Sequence, residues 1–305
     1  MHRIIASGAK CGLYSLGYYA RRLRGDRFPG VAVLCYHGVR SNDLPAGSMP
    51  FEQLHVRAWE LEQHCEAFRK FCHPITLGQW VSASAGGEAL PDRPILLTFD
   101  DGYRNVLTVA RTILERHQIP ALVFVNSGPA LERRLQWYDA VARNLGEAAV
   151  ERIKNAPYAD WLQQCQHCTT AARDDDPCAL MTREELRRLA QSPLFEIGGH
   201  SVDHPILARC DRAEQQRQIK TNRTTLEAWI DRPVISFAYP NGIPDYDYTR
   251  DTVHEVQTAG YQMAFTTRHG FATDQESCFE KSRFMMLSGV SNNELAHRLA
   301  CSWRR

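Results

Sequence analysis

The stretch ILLTFDDGY, residues 95–103, decides the reading of this 305-residue chain. A short apolar run leads into two adjacent carboxylates, Asp100 and Asp101, and then a glycine. Runs of this length, closed by a turn signal, predict a strand buried on both faces. Comparable runs recur at 31–36, 121–126, 195–199, 234–239, 262–266 and 283–287. Helix-like segments lie between them, notably at 59–71, 106–117, 212–230 and 250–259. Buried strands alternating with helices predict a parallel sheet. Seven strands give an α/β chain folded as a distorted seven-stranded parallel β/α barrel. The chain divides into an N-terminal segment, 1–30, and one barrel domain, 31–305. No repeat or low-complexity tract interrupts it.

A second segment, GHSVDHP at 199–205, supplies His200 and His204 four positions apart. Two imidazoles and a carboxylate form a common ligand set for a catalytic divalent metal with an open position. The spare carboxylate is then a candidate general base. Taken singly, an Asp-Asp-Gly reads as a turn, and a lone His-x-x-x-His reads as surface histidines. Their positions argue for the joint reading. His37 follows the first predicted strand, Asp100 and Asp101 the second, Asn126 the third, His200 the fourth, and 239–242 the fifth. In β/α barrels the active site gathers at the carboxyl ends of the strands.

These segments resemble the polysaccharide deacetylase family (the NodB-homology domain, carbohydrate esterase family four). Its first motif stands here as TFDDG at 98–102, and its His-Ser/Thr-x-x-His motif as HSVDH at 200–204. FAYPNG at 237–242 is similar to the variant third motif of exopolysaccharide-type members. The resemblance spans roughly 31–288 and implies the barrel fold reached above. It also implies a metal-dependent hydrolase that removes N-acetyl groups from amino sugars and releases acetate. By the resemblance, Asp100 is the base, and Asp101, His200 and His204 hold a divalent metal, with zinc expected. Asn241 matches the position whose backbone N–H helps form the oxyanion hole. The family arginine that braces the base falls at Ala238, so it is missing; Arg283 on the final strand is a candidate substitute. The late Leu-x-His motif has no clear match. LCYHGV at 34–39 resembles the early Tyr-His motif of deacetylases acting on extracellular poly-N-acetylglucosamine, which makes His37 the candidate acid. Tyr103, Tyr239, Pro240 and Arg283 are expected to shape the substrate groove.

A polar, helix-rich stretch at about 129–192 departs from the alternation and reads as an insertion after the third strand. Thr182 with Glu185 fits a capping box. Trp137, Tyr138 and Trp161 are expected either to pack this insertion on the barrel or to stack on sugar rings. The DDD run at 174–176 reads as a solvated loop. Ten cysteines without paired spacings favour free thiols in a reducing compartment. CQHC at 165–168 has half-site spacing for zinc but no second half, so Cys165 and Cys168 read as surface thiols on a polar helix.

Residues 4–20 are apolar on average but interrupted, and too short to span a bilayer. Arg21, Arg22, Arg24 and Arg27 follow. A helix packed on the domain and a peripheral anchor on an anionic membrane face are both open. No secretory signal is evident, and a cytoplasmic location, at or near the membrane face, is expected ahead of a periplasmic or signal-anchored one. The net charge of +1 gives no reason to expect nucleic acid. The expected partner is an N-acetylated glycan or a lipid-linked sugar precursor. Two alternatives stand: a catalytically silent glycan-binding or assembly protein, and an amidohydrolase of the same fold acting on a non-sugar amide.

Overall fold

The structure, a computed structural model, describes residues 2–25 and 27–301, leaving out the side chains of residues 2–8. The last four residues of the predicted barrel domain, 302–305, lie outside the described residues. Seven strands form the barrel: β1 (Ala32–Tyr36), β2 (Pro94–Phe99), β3 (Ala121–Val125), β4 (Phe195–Gly199), β5 (Ser236–Ala238), β6 (Met263–His269) and β7 (Lys281–Met285). Each pairs in parallel with its neighbours, and β1 pairs with both β2 and β7, closing the ring. Closure leaves the barrel no free edge. A two-residue strand, His73–Pro74, pairs with the start of β2, where β3 has not yet begun.

The strands obey a period of two. Val33 on β1, Leu96 on β2, Leu122 and Phe124 on β3, and Phe265 on β6 share one apolar cluster. Their neighbours Leu34, Leu97, Val123 and Phe237 belong to the larger core under the helices. Trp80 joins the first cluster with its ring against Phe265. Cys35, Thr98 and Asp100 continue the inward parity toward the carboxyl ends. The final strand begins two residues earlier than predicted, at Lys281, and its register against β6 shifts between Lys281 and Arg283.

The N-terminal segment forms two helices, α1 (His2–Ser15) and α2 (Tyr18–Gly25), packed on α9 (Asn292–Cys301). Lys10 pairs with Glu294, and the Tyr19 hydroxyl stands 3.0 Å from His297 Nδ1. Among the described residues, no helix is long and apolar enough to cross a membrane. The turn between α1 and α2 carries Leu16, which is 84% exposed, beside the exposed Leu13, Tyr14 and Tyr18.

Within the insertion, α4 (Trp137–Leu145), α5 (Glu147–Lys154) and α6 (Tyr158–His167) enclose an apolar core of their own. Trp137 and Trp161 meet edge to face at 5.8 Å inside it. The predicted capping box is present: the Glu185 amide donates to Thr182 Oγ1 and the Thr182 amide to Glu185 Oε2. It opens α7 (Arg183–Ala190), which packs against α8 (Asn222–Ile230) in the barrel's outer layer. Two expectations need correction. Cys168 is buried in the insertion core and is not a surface thiol. In the acidic run, Asp174 and Asp175 are exposed as expected, and only Asp176 departs, fixed by two hydrogen bonds from Arg143.

Candidate active site

A cavity of about 380 Å³ opens at the carboxyl ends of the strands. Asp100, Asp101, His200 and His204 line it together with His37 and Asn241, and Tyr138 of the insertion forms part of the opposite wall.

Asp100 keeps the inward parity of β2, while Asp101 lies beyond the strand. A left-handed backbone at Asp101 (φ 74°), followed by Gly102 (φ 78°), turns its carboxylate back to the mouth. Ser201, His204 and Asn241 also have left-handed backbones, at 67°, 59° and 56°. Such conformations cluster where the surrounding structure holds a functional geometry. Asp, Asn and His tolerate them better than most residues.

Asp101 Oδ1 lies 3.4 Å from His200 Nε2 and 3.5 Å from His204 Nε2. Each of these residues offers a ligand atom within 4.8 Å of the others, and all three residues are buried. Asp101 Oδ1 has no hydrogen-bond partner among the described residues. The His200 Nδ1–H donates to the Ala238 carbonyl at 2.7 Å, which leaves the Nε2 lone pair facing the site. A converging, orphaned oxygen and two imidazole nitrogens fit a small divalent cation. Burial lowers the His204 imidazole to about 4, with His200 beside it adding to the effect. His204 is therefore neutral at pH 7, the form that binds metal.

The scaffold around the histidines is locally enforced. The Asn222 side chain accepts from the His200 amide and donates to the Val125 and Ser201 carbonyls. Asn126 donates to the His200 carbonyl. A side chain at Gly199 would strike Asn222 Oδ1 at 2.6 Å, so glycine is needed there for close approach.

Arg283 makes a two-pronged pair with Asp100, at 2.7 Å and 2.8 Å, and also donates to the Thr266 carbonyl at 2.8 Å. The guanidinium therefore stands where the missing arginine at 238 would be needed, arriving from β7. The Cys35 thiol is 3.4 Å from Asp100 Oδ2. Burial alone would raise the Asp100 carboxyl, but Arg283, His200 and His37 outweigh it and hold it below its ordinary value. Asp100 is ionised and able to accept a proton.

His37 lines the cavity, and its Nδ1 has no partner among the described residues. Asn241 lines it too, its carbonyl accepting from the Thr267 hydroxyl at 2.7 Å. The expected groove residues are placed differently. Tyr239 falls on the outward parity, stacks on Tyr248 at 3.9 Å and donates to the Phe279 carbonyl. Pro240 is buried and accepts from the Gly242 amide. Tyr103 is fully buried against Asp139 and Tyr138, and Arg283 lies behind Asp100. None of these four lines the cavity.

Sequence reading missed Cys35, Asn222 and Gln136, and named Trp137 and Tyr138 for packing or sugar stacking without their contacts to His204. It also missed His55, a fully buried imidazole whose pKa burial lowers to about 3. No local pattern marks any of them, because each reaches the site through tertiary packing.

The polysaccharide deacetylase family model matches residues 87–264. The chain is 24% identical over 251 residues to the poly-β-1,6-N-acetyl-D-glucosamine N-deacetylase of Escherichia coli K12, covering 80% of this chain but 34% of that one. It thus spans about a third of that relative's length. Its fold is similar to the Streptococcus pyogenes deacetylase PplD, with a TM-score of 0.66 at 18% identity over 89% of this chain and 99% of that one. It is also similar to IcaB of Ammonifex degensii, with a TM-score of 0.64 at 21% identity over 91% and 99%. On the family match and the closed seven-stranded barrel it runs through, this chain belongs to the polysaccharide deacetylase family.

Proposed function

We propose that the protein is a metal-dependent hydrolase that removes N-acetyl groups from amino sugars of a polysaccharide or a lipid-linked glycan precursor. The observation that carries this reading is the convergence of Asp101, His200 and His204 beside an ionised Asp100 in one cavity. A cation held by those three residues, with zinc expected from the nitrogen-rich donor set, would supply a polarising charge and a water acidified toward neutrality. Asp100 takes the proton of the attacking water. Its pairing with Arg283 holds the accepting oxygen in place. The Asn241 N–H donates to the oxygen that becomes negative. His37, across the cavity, gives its proton to the departing amine, and acetate and a free amino sugar result.

The catalytically silent alternative rested on the absent arginine and the absent late histidine; the Arg283–Asp100 pair answers the first reason and leaves the second standing. Poly-β-1,6-N-acetyl-D-glucosamine, the substrate in the Escherichia coli relative's name, supports an N-acetylglucosamine polymer as the first substrate to try. Ten unpaired cysteines support a reducing, cytoplasmic setting. The exposed Leu13, Tyr14 and Leu16 beside Arg21 and Arg24 support contact with an anionic membrane face. Vesicles containing phosphatidylglycerol should pull the protein down, and Leu16→Glu should release it; equal sedimentation of both proteins would remove the membrane contact.

The central test pairs metal content with acetate release from N-acetylglucosamine oligomers. Purified protein should bind one divalent ion and release acetate, while Asp100→Asn should keep the ion and lose about 10²–10⁴-fold in kcat. Metal without release across the oligomers would point to a non-sugar amide. No metal after zinc addition would sink the mechanism.

A further inference from the structure

The loop that follows β5 leaves an aromatic ring beside the mouth of the cavity. Asn241 of that loop lines the cavity, and Tyr246, later in the same loop, is 50% exposed. Glu151 and Lys154 of α5 line the same cavity, paired with each other at 2.8 Å. Asn155, next in the chain, accepts from the Tyr246 hydroxyl at 2.7 Å. The ring is thus tied to the immediate neighbour of a cavity residue.

An exposed side chain ordinarily keeps its rotamer freedom, and here several contacts remove it. Asn155 Oδ1 also accepts from Arg209 at 2.8 Å, and the Arg209 guanidinium lies over the Tyr246 ring, 5.3 Å from its centroid. Asn155 Nδ2 in turn donates to the Glu151 carbonyl at 2.8 Å. The loop is closed on itself: the Ile243 amide donates to Asp247 Oδ2 at 2.8 Å, and the Asp247 amide to the Ile243 carbonyl at 2.9 Å.

We propose that Tyr246 is a sugar platform. It packs on the sugar next to the one whose N-acetyl group enters the cavity, so that the protein selects oligomers over single sugars. This inference rests on the glycan reading above. A sugar ring carries an apolar C–H face bordered by hydroxyls, so it is met by an aromatic ring with polar groups around it. Arg209, Asn155 and Lys154 are such groups. A ring that is already fixed loses little further freedom when a sugar packs on it. The hydroxyl also ties the loop to the insertion, but a tie alone gives no reason to leave half of the ring open to solvent.

The test is calorimetric binding of N-acetylglucosamine and of its tetramer to the full chain, with a chelator present to stop the proposed turnover. The parent should bind the tetramer more tightly than the single sugar. Tyr246→Ala and Tyr246→Leu should weaken the tetramer about 2–10-fold and leave the single sugar unchanged. Tyr246→Phe, which keeps the ring and deletes the hydroxyl, should stay with the parent. A loss in Tyr246→Phe equal to that in Tyr246→Ala would assign the effect to the tie and overturn the proposal. Equal affinities for the two sugars in the parent, equal losses for both in Tyr246→Ala, or no loss in Tyr246→Ala and Tyr246→Leu would overturn it as well. A parent that binds neither sugar would do the same. Acetate release is measured separately with zinc added: tetramer binding without release would overturn the hydrolase reading and leave the platform standing.

Discussion

The barrel wall formed by β1, β2 and β7 and the wall formed by the insertion treat neighbouring carboxylates in opposite ways. On the barrel side, Asp100 is gripped by charge: Arg283 binds both oxygens, and strand pairing fixes the guanidinium's own position. On the insertion side, the neutral Gln136 amide holds the Asp101 backbone carbonyl, and the carboxylate keeps Oδ1 bare. A general base needs to be ionised and stationary, so a cation beside it serves. A metal ligand must keep a lone pair for its ion, and a guanidinium there would compete with the metal. The difference teaches that the two walls suit different jobs although Asp100 and Asp101 are adjacent.

The sharpest break of that comparison exchanges the two losses. Asp101→Ala should abolish metal binding and activity together, whereas Asp100→Asn should lose activity with its metal intact, read by metal content against acetate release. Loss of metal in both would mean that the walls act as one unit.

Next in size is Arg283→Met. It leaves Asp100 buried without its cation, and removing one partner of a buried pair costs about 3–5 kcal/mol. The measurement is a urea melt; a change within error would mean that water or another group already compensates.

The smallest effect, read per pH unit, concerns pH. Asp139 is held near 8 in the fold against an ordinary 3.8. The folded protein therefore keeps a proton that the unfolded chain gives up. The resulting stability is complete below about pH 4 and is lost as pH rises toward 8, by at most about 1.4 kcal/mol per pH unit. Asp139→Asn should flatten that decline between pH 5 and pH 8 in urea melts; parallel curves would show that Asp139 is ionised in the fold.

The barrel was legible because each strand is a short apolar run with its own turn signal, and the reactive residues fell at one end of those runs. Asp100, Asp101, His200 and His204 were legible because each pair lies within five residues. Tyr239 was misplaced for a reason visible in hindsight: Ala238 faces inward, so the next residue faces the helices and finds Tyr248. The insertion's part in the site was legible only as aromatics able to stack or pack, without their contacts to His204. Gln136 to Asp139 look like any helix start, and their targets lie 35 and 67 residues away in sequence. Cys168 likewise read as exposed because three polar helices give no hint that they enclose a core of their own.

The left-handed backbones at Asp101, Ser201, His204 and Asn241 set this protein's robustness against its chemistry. Each such residue costs on the order of 1–3 kcal/mol that glycine would largely avoid. At Asp101 and His204, glycine would also remove the groups proposed to hold the ion. A search for hardier variants that scores only melting temperature would drift toward glycine at the mouth of the barrel and return well-folded, inert proteins. Stabilisation is better sought in the outer helices, where no such conflict is built in.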